Sequence, residues 1–218
     1  MADSAASFEV EIRCHFEDVD EACRALPFVR SCLGREAPFA WTTRYYGLDY
    51  FRSGGLLRVA EVFRSQVRYY LGWKGPDIGT FANIRQELDE EITQGIGDSL
   101  ILKRLQGSPG LSSRDAVIGE LERLGHREFM SFSGSDLTGY DDSLGIKLKV
   151  MTCPMIKWPL LLELEKTANS EAEAARCEDE LRELTRSFGL QSRLVRQEPP
   201  SLLYDSVVSR EAQDLGRG

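Results

Sequence analysis

Residues 8–13 read FEVEIR and alternate strictly. Phe8, Val10 and Ile12 fall on one side of an extended backbone. Glu9, Glu11 and Arg13 fall on the other, because successive strand side chains point to opposite faces. The same period of two recurs in five further segments. In LLRVAEV, Arg58 and Ala60 share a face. In QVRYYLGWKGP, Arg68, Tyr70, Gly72 and Lys74 oppose Val67, Tyr69, Leu71 and Trp73. In IRQELDEEI, Arg85, Glu87, Asp89 and Glu91 oppose Ile84, Leu88 and Ile92. In IKLKVMTC, Lys147 and Lys149 oppose Ile146, Leu148 and Val150, and in LLLELEK, Glu163 and Glu165 oppose Leu160, Leu162 and Leu164.

Helical spacing interrupts these strands. Residues 17–34 read as a helix broken at Pro27 and stopped by Gly34. Residues 41–74 read as strands separated by Ser-Gly-Gly and by a polar stretch near Arg64. Residues 95–113 read as a connection holding a short helix. Ser113 to Leu124 predict a capped helix with Val117, Leu121 and Leu124 on one face. Ser170 and Glu173 form a capping box. The helix it opens carries a stripe of Ala174, Cys177, Leu181, Leu184 and Phe188, and its many glutamates read as a solvated face. EPPSLLYDSVV, at 198–208, reads as a last strand or a docked tail. Strands with three interspersed helices make the class α+β.

Charge on one face of one strand means only a solvated sheet. Charge of both signs on one face of six strands is also what a barrel would need, with an apolar outside covered by helices and a charged, wet interior. Both readings stay open on periodicity alone. Such a lumen would offer carboxylates to a cation and basic groups to phosphate oxygens, so its natural guest is a chain of phosphates with its metal.

Bulk properties narrow the field. The 218-residue chain has a net charge of −8, which argues against a broad nucleic-acid footprint. No apolar run approaches a membrane span, and the first ten residues lack a secretory pattern. Five cysteines without CxxC spacing predict a reduced, intracellular, cytoplasmic protein. Two distant histidines, His15 and His126, argue against zinc and leave a carboxylate-held metal. Cys14 and Cys153 read as packing residues, and Trp41, Trp73 and the tyrosine pairs as core on the barrel exterior.

The motifs resemble the CYTH superfamily, the triphosphate tunnel metalloenzymes. FEVEIR resembles its ExExK signature, LLRV its LRxR strand, WKGP followed by IRQE its Lys-Gly-Pro and R-x-E segment, and PLLLELEK its late acidic strand. The resemblance covers residues 8–208 in order, with flexible ends at 1–7 and 209–218, and is nearest to the class IV adenylate cyclase and thiamine triphosphatase branch. It implies an antiparallel eight-stranded closed barrel with helices outside, and Mg2+ or Mn2+ held by Glu9, Glu11, Glu163 and Glu165. Arg58, Lys74 and Arg85 would bind phosphate, with Arg13, Arg68, Lys147 and Lys149 added, and Glu9, Glu11, Lys74 and Glu87 would form the catalytic set. Departures stand at Arg13 for lysine, Ala60 for a second basic residue, Phe129 for an arginine, Cys153 for an aspartate and Ser201 for a lysine. The resemblance therefore implies metal-dependent hydrolysis of inorganic, thiamine or nucleoside triphosphate. The alternatives are a tunnel that binds a nucleotide or an RNA 5′ triphosphate end without turnover, a subunit of a larger complex, or a class IV cyclase.

Overall fold

The computed structural model describes residues 7–34 and 37–215, with side chains through Val207. The alternating segments form β1 (Ser7–Phe16), β2 (Phe39–Tyr46), β3 (Leu56–Phe63), β4 (Val67–Lys74), β5 (Asn83–Glu91), β6 (Glu128–Asp141), β7 (Ile146–Thr152) and β8 (Leu160–Ala168). They close into one antiparallel barrel in the order β1-β5-β4-β3-β2-β6-β7-β8. The barrel alternative is the one realised, and closure leaves no unpaired edge.

Among the described residues seven α-helices accompany the strands where three were expected: α1 (Val19–Ala25), α2 (Pro27–Leu33), α3 (Leu48–Arg52), α4 (Leu100–Arg104), α5 (Arg114–Arg123), α6 (Glu171–Ser187) and α7 (Pro199–Leu215). Pro27 breaks the first helical run by starting α2 at a position that needs no N–H. The five residues of α3 are too few to show a periodic stripe. Of the two expectations for 198–208, a last strand or a docked tail, the second holds, as the start of α7 with Leu203 buried against the barrel; a closed barrel has no edge for a ninth strand, and two prolines suit a helix start. Of the expected flexible ends, residues 1–6 and 216–218 lie outside the described residues. No helix among the described residues is long and apolar enough to cross a membrane.

Helices cover the barrel unevenly. Val10, Ile12, Leu148, Leu162 and Leu164 point out of β1, β7 and β8 and are buried with Val29 and Leu33 of α2 and Leu181 of α6. Val59, Leu71 and Trp73 are buried with Ile101 and Leu102 of α4 and Val117 and Leu121 of α5. Burying each of these side chains contributes about 1.5–3 kcal/mol. Along the β2–β6 seam the outer face is different. Ala40, Arg44, Ser131 and Ser133 are exposed there, Thr42 hydrogen-bonds Ser133 at 2.8 Å, and Ser135 hydrogen-bonds Thr152 at 2.7 Å.

The glutamates of α6 are not all solvated. Glu178 lies on the inner face with Ala174 and Leu181 and accepts the backbone N–H groups of Thr80, Phe81 and Ala82 at 2.8, 2.6 and 2.9 Å. It thereby holds the β4–β5 loop against the barrel. Phe188, expected on the buried stripe, is exposed and packs edge-on against Phe28.

Candidate anion-binding tunnel

Antiparallel register carries one parity around the barrel. Directly paired residues share a face. Arg13 lies opposite Glu163, which on its other side lies opposite Lys149. Glu11 and Lys147 both lie opposite Glu165, Lys74 lies opposite Glu87, and Arg58 opposite Gly72. All twelve side chains singled out from the sequence therefore share the inward faces of the barrel. Gly72 has a steric reason: a Cβ there would lie 2.6 Å from Arg58 Nε, and its absence lets Arg58 cross to Asp89 at 3.1 Å.

The inward charges pair with one another. Arg13 is 2% exposed; it donates through Nε to Glu163 at 2.8 Å, through Nη1 to Asn83 at 2.7 Å, and through Nη2 to Glu11. Lys149 pairs with the other Glu163 oxygen. Lys74 touches Glu9 and lies 3.5 Å from Glu87 and 3.9 Å from Glu11. Lys147 reaches both oxygens of Glu165, at 2.9 and 3.1 Å. Burial pushes the Glu163 carboxyl up, but Lys149 and Arg13 outweigh it and hold it at about 2. Burial raises Glu11 to about 8, with Glu9 and Glu163 adding to it against Arg13 and Lys74. Burial likewise raises Glu87 well above the usual range, whereas at Glu9 the ammonium of Lys74 overcomes burial and the carboxyl stays ionised.

Arg85 and Arg68 lie apart from this centre. Arg85 donates to the carbonyls of Gly54 and Gly75, and its Nε lies 2.6 Å from Glu198, a buried carboxylate just before α7. Arg68 pairs with Glu91 at 3.4 Å with its side chain 54% exposed. Glu198 had no signal in the sequence. Asn83 had one, since it shares strand parity with Arg85.

A cavity of about 920 Å³ occupies the lumen. Seven basic side chains line it, namely Arg13, Arg58, Arg64, Arg68, Lys74, Lys147 and Lys149, against the acidic Glu11, Asp89, Asp136, Glu163 and Glu198. The rest of the lining includes Trp41, Tyr45, Leu56, Val62, Phe132 and Met151. Trp41 thus faces the lumen and not the exterior as expected; Trp73 does lie outside, against Tyr50 and Arg104. In FAWTTRYY alternation puts Phe39, Trp41, Thr43 and Tyr45 on one face, but periodicity does not say which face is in. On β6 the inward residues Phe132, Asp136 and Thr138 bring no cation, and Phe129 packs on Phe51 and Tyr204 beneath α7.

The carboxylates do not fit a divalent ion in this arrangement. Glu11 and Glu163 are joined by the Arg13 guanidinium, Glu9 is held by Lys74 and Glu165 by Lys147. Among the described residues no group of three or more acidic, histidine or cysteine side chains is placed to hold a metal ion. A divalent cation needs several free oxygens at one point, and here a resident cation occupies that position.

No family model matches the chain. No curated protein matches it either. Solved structures do. The PH1819 protein of Pyrococcus horikoshii OT3 superposes with a TM-score of 0.69 at 19% identity, over 91% of this chain and 99% of that one. A candidate adenylate cyclase of Vibrio parahaemolyticus gives 0.65 at 13% identity, over 91% and 99%. HpAC1 of Hippeastrum, a candidate adenylyl cyclase with a dominant triphosphatase activity, gives 0.54 at 13% identity, over 92% and 96%. The chain shares with these proteins its fold, a closed eight-stranded antiparallel barrel with helices outside.

Proposed function

We propose that the chain captures a triphosphate-type anion in its tunnel, and that Arg13 supplies there the fixed positive charge that a divalent ion would otherwise bring. The convergence of Arg13, Arg58, Lys74, Lys147 and Lys149 on one lumen, in a chain of net charge −8, carries this reading. Arg58, Lys147 and Lys149 are aimed inward from two strands, β3 and β7, and can exchange a carboxylate partner for a phosphate oxygen at little cost in charge. The guanidinium of Arg13 is already desolvated and held by three acceptors, so it is preorganised to balance negative charge without moving.

The test is calorimetric titration with tripolyphosphate, in EDTA and in Mg2+ or Mn2+. The expected result is binding that persists in EDTA and weakens about tenfold in Lys149→Ala, the size of a charge-assisted contact. No binding under any of these conditions would overturn the reading. Hydrolysis is the second reading, supported by the paired ExE strands β1 and β8 and by the triphosphatase activity of HpAC1. Phosphate release that requires Mg2+ or Mn2+ and disappears in Glu163→Gln would replace metal-free capture with hydrolysis.

A further inference from the structure

We infer that Glu198 is a built-in counter-anion of the tunnel: its carboxylate takes the place beside Arg85 that a ligand's anionic oxygen would take, and by withholding Arg85 it sets how tightly the tunnel binds. This inference rests on the anion-binding reading and adds the residue that tunes it. Glu198 is 5% exposed and lines the cavity with Pro199 and Pro200, the first residues of α7. It belongs to no strand, so strand parity does not account for its place in the lumen. The cavity has an outer and an inner end. Arg64, Ser65 and Gln66, in the turn between β3 and β4, line it and are exposed. β4 runs from that turn to Lys74 and β5 begins at Asn83, so Lys74 and Arg85 lie toward the other end. There α7 closes the barrel, with Leu203 buried among Tyr45, Leu56, Leu161 and Val195. An anion that enters past the turn reaches Arg85 last and finds Glu198 already there.

The contacts of Glu198 differ from those of carboxylates that hold the fold together. Glu178 accepts three backbone N–H groups, and Glu90 accepts the N–H of Leu100 at 2.6 Å at the start of α4. Glu198 Oε1 and Arg85 Nε lie 2.6 Å apart, yet among the described residues both are buried without an aligned hydrogen bond. Charge holds this pair, and charge is what a phosphate oxygen supplies equally well. Neither partner depends on the other for its position. Arg85 Nη1 donates to the carbonyls of Gly54 and Gly75 at 2.5 and 2.7 Å, which keeps the guanidinium in place for an anion. The segment before Glu198 is tied by the Val195 N–H to the Arg13 carbonyl at 2.8 Å and by Arg196 to the Thr80 carbonyl at 2.9 Å. The charge of Glu198 also reaches the central cations. Burial acts to lower Arg13 and Lys74, but the surrounding glutamates, Glu198 among them, outweigh it and raise both.

The experiment is calorimetric titration of tripolyphosphate into the whole chain in EDTA, wild type beside variants. Glu198→Gln is expected to bind about tenfold more tightly, because one charge-assisted contact passes to the ligand. Adding Arg85→Gln to Glu198→Gln should bring affinity back to within about threefold of wild type, since the freed cation is then gone. Glu198→Asp, which draws the carboxylate back from Arg85 by one methylene, should raise affinity in the same direction and serves if Glu198→Gln does not fold. Binding by the wild type with no gain in either Glu198 variant would overturn the inference, make the pair a structural latch for α7, and leave anion capture standing. A gain that persists in full in the double variant would overturn it too, since Glu198 would then oppose the anion without acting through Arg85. Failure of wild type and variants alike to bind tripolyphosphate would remove the anion reading itself and this inference with it.

Discussion

The two sides of the barrel solve the burial problem in opposite ways. On β1, β7 and β8 the apolar residues point outward under α1, α2 and α6, and the charged residues point into the lumen. On the β2–β6 seam Thr42, Ser131 and Ser133 meet solvent while Trp41, Tyr45 and Phe132 turn inward. Strand alternation supplies one apolar face everywhere, and the helices decide which side of the sheet is dry. Where a helix lies outside, the lumen can be charged. Where solvent lies outside, the lumen becomes the core. One tunnel thereby acquires two chemistries facing each other.

The charged half is the more fragile. Arg13→Met leaves Glu11 and Glu163 buried with one cation fewer, and should cost about 3–5 kcal/mol, the range for breaking a buried ion pair. Urea denaturation measures it; a loss under about 1 kcal/mol would mean that the network is hydrated and that the two halves differ less than their burial implies.

Titration sharpens the contrast further. Glu163 is held near 2, so its contribution, about 3 kcal/mol, is complete above the ordinary carboxylate value near 4.5 and vanishes as pH falls toward 2. Glu11 is raised to about 8, so it acts with the opposite sign: its protonated form favours the folded state at low pH, and that advantage disappears as pH rises from about 4.5 to 8. Stability measured against pH should therefore fall on both sides of about pH 4.5–5. Glu163→Gln should flatten the acid limb and Glu11→Gln the neutral one. Parallel curves for wild type and both variants would sink this account of the interior.

The smallest effect belongs to the outer seam. Thr42→Val, which removes the hydroxyl that meets Ser133, should change stability by less than about 0.5 kcal/mol, as expected for a solvent-exposed pair. A loss above about 1 kcal/mol would show that the seam is held from outside as well as by its aromatic interior.

Much of the charged half was legible because each of its strands repeats with a period of two, and a one-residue error would have put every charge on the helix side. The pairing partners were less so. Arg85 has the expected parity, yet it is met by Glu198 from the segment before α7, more than a hundred residues away in the chain. Glu178 looked like one of many solvated glutamates on α6, and only the docking of that helix on the barrel placed it against the N–H groups of the β4–β5 loop. The helix caps and stops, by contrast, are local and were readable from Ser113, Ser170 and Gly34.

By itself the sequence determined which residues share a face, because alternation is a property of the extended backbone and needs no partner. It did not determine which face would be inside. For FEVEIR and FAWTTRYY the local rule is identical, yet Glu11 and Trp41 both end in the lumen. The tertiary structure decided that through helix placement: α1, α2 and α6 dry one side of the sheet and leave the β2–β6 side to water, so apolar side chains moved outward on the first and inward on the second to reach the nearest dry volume.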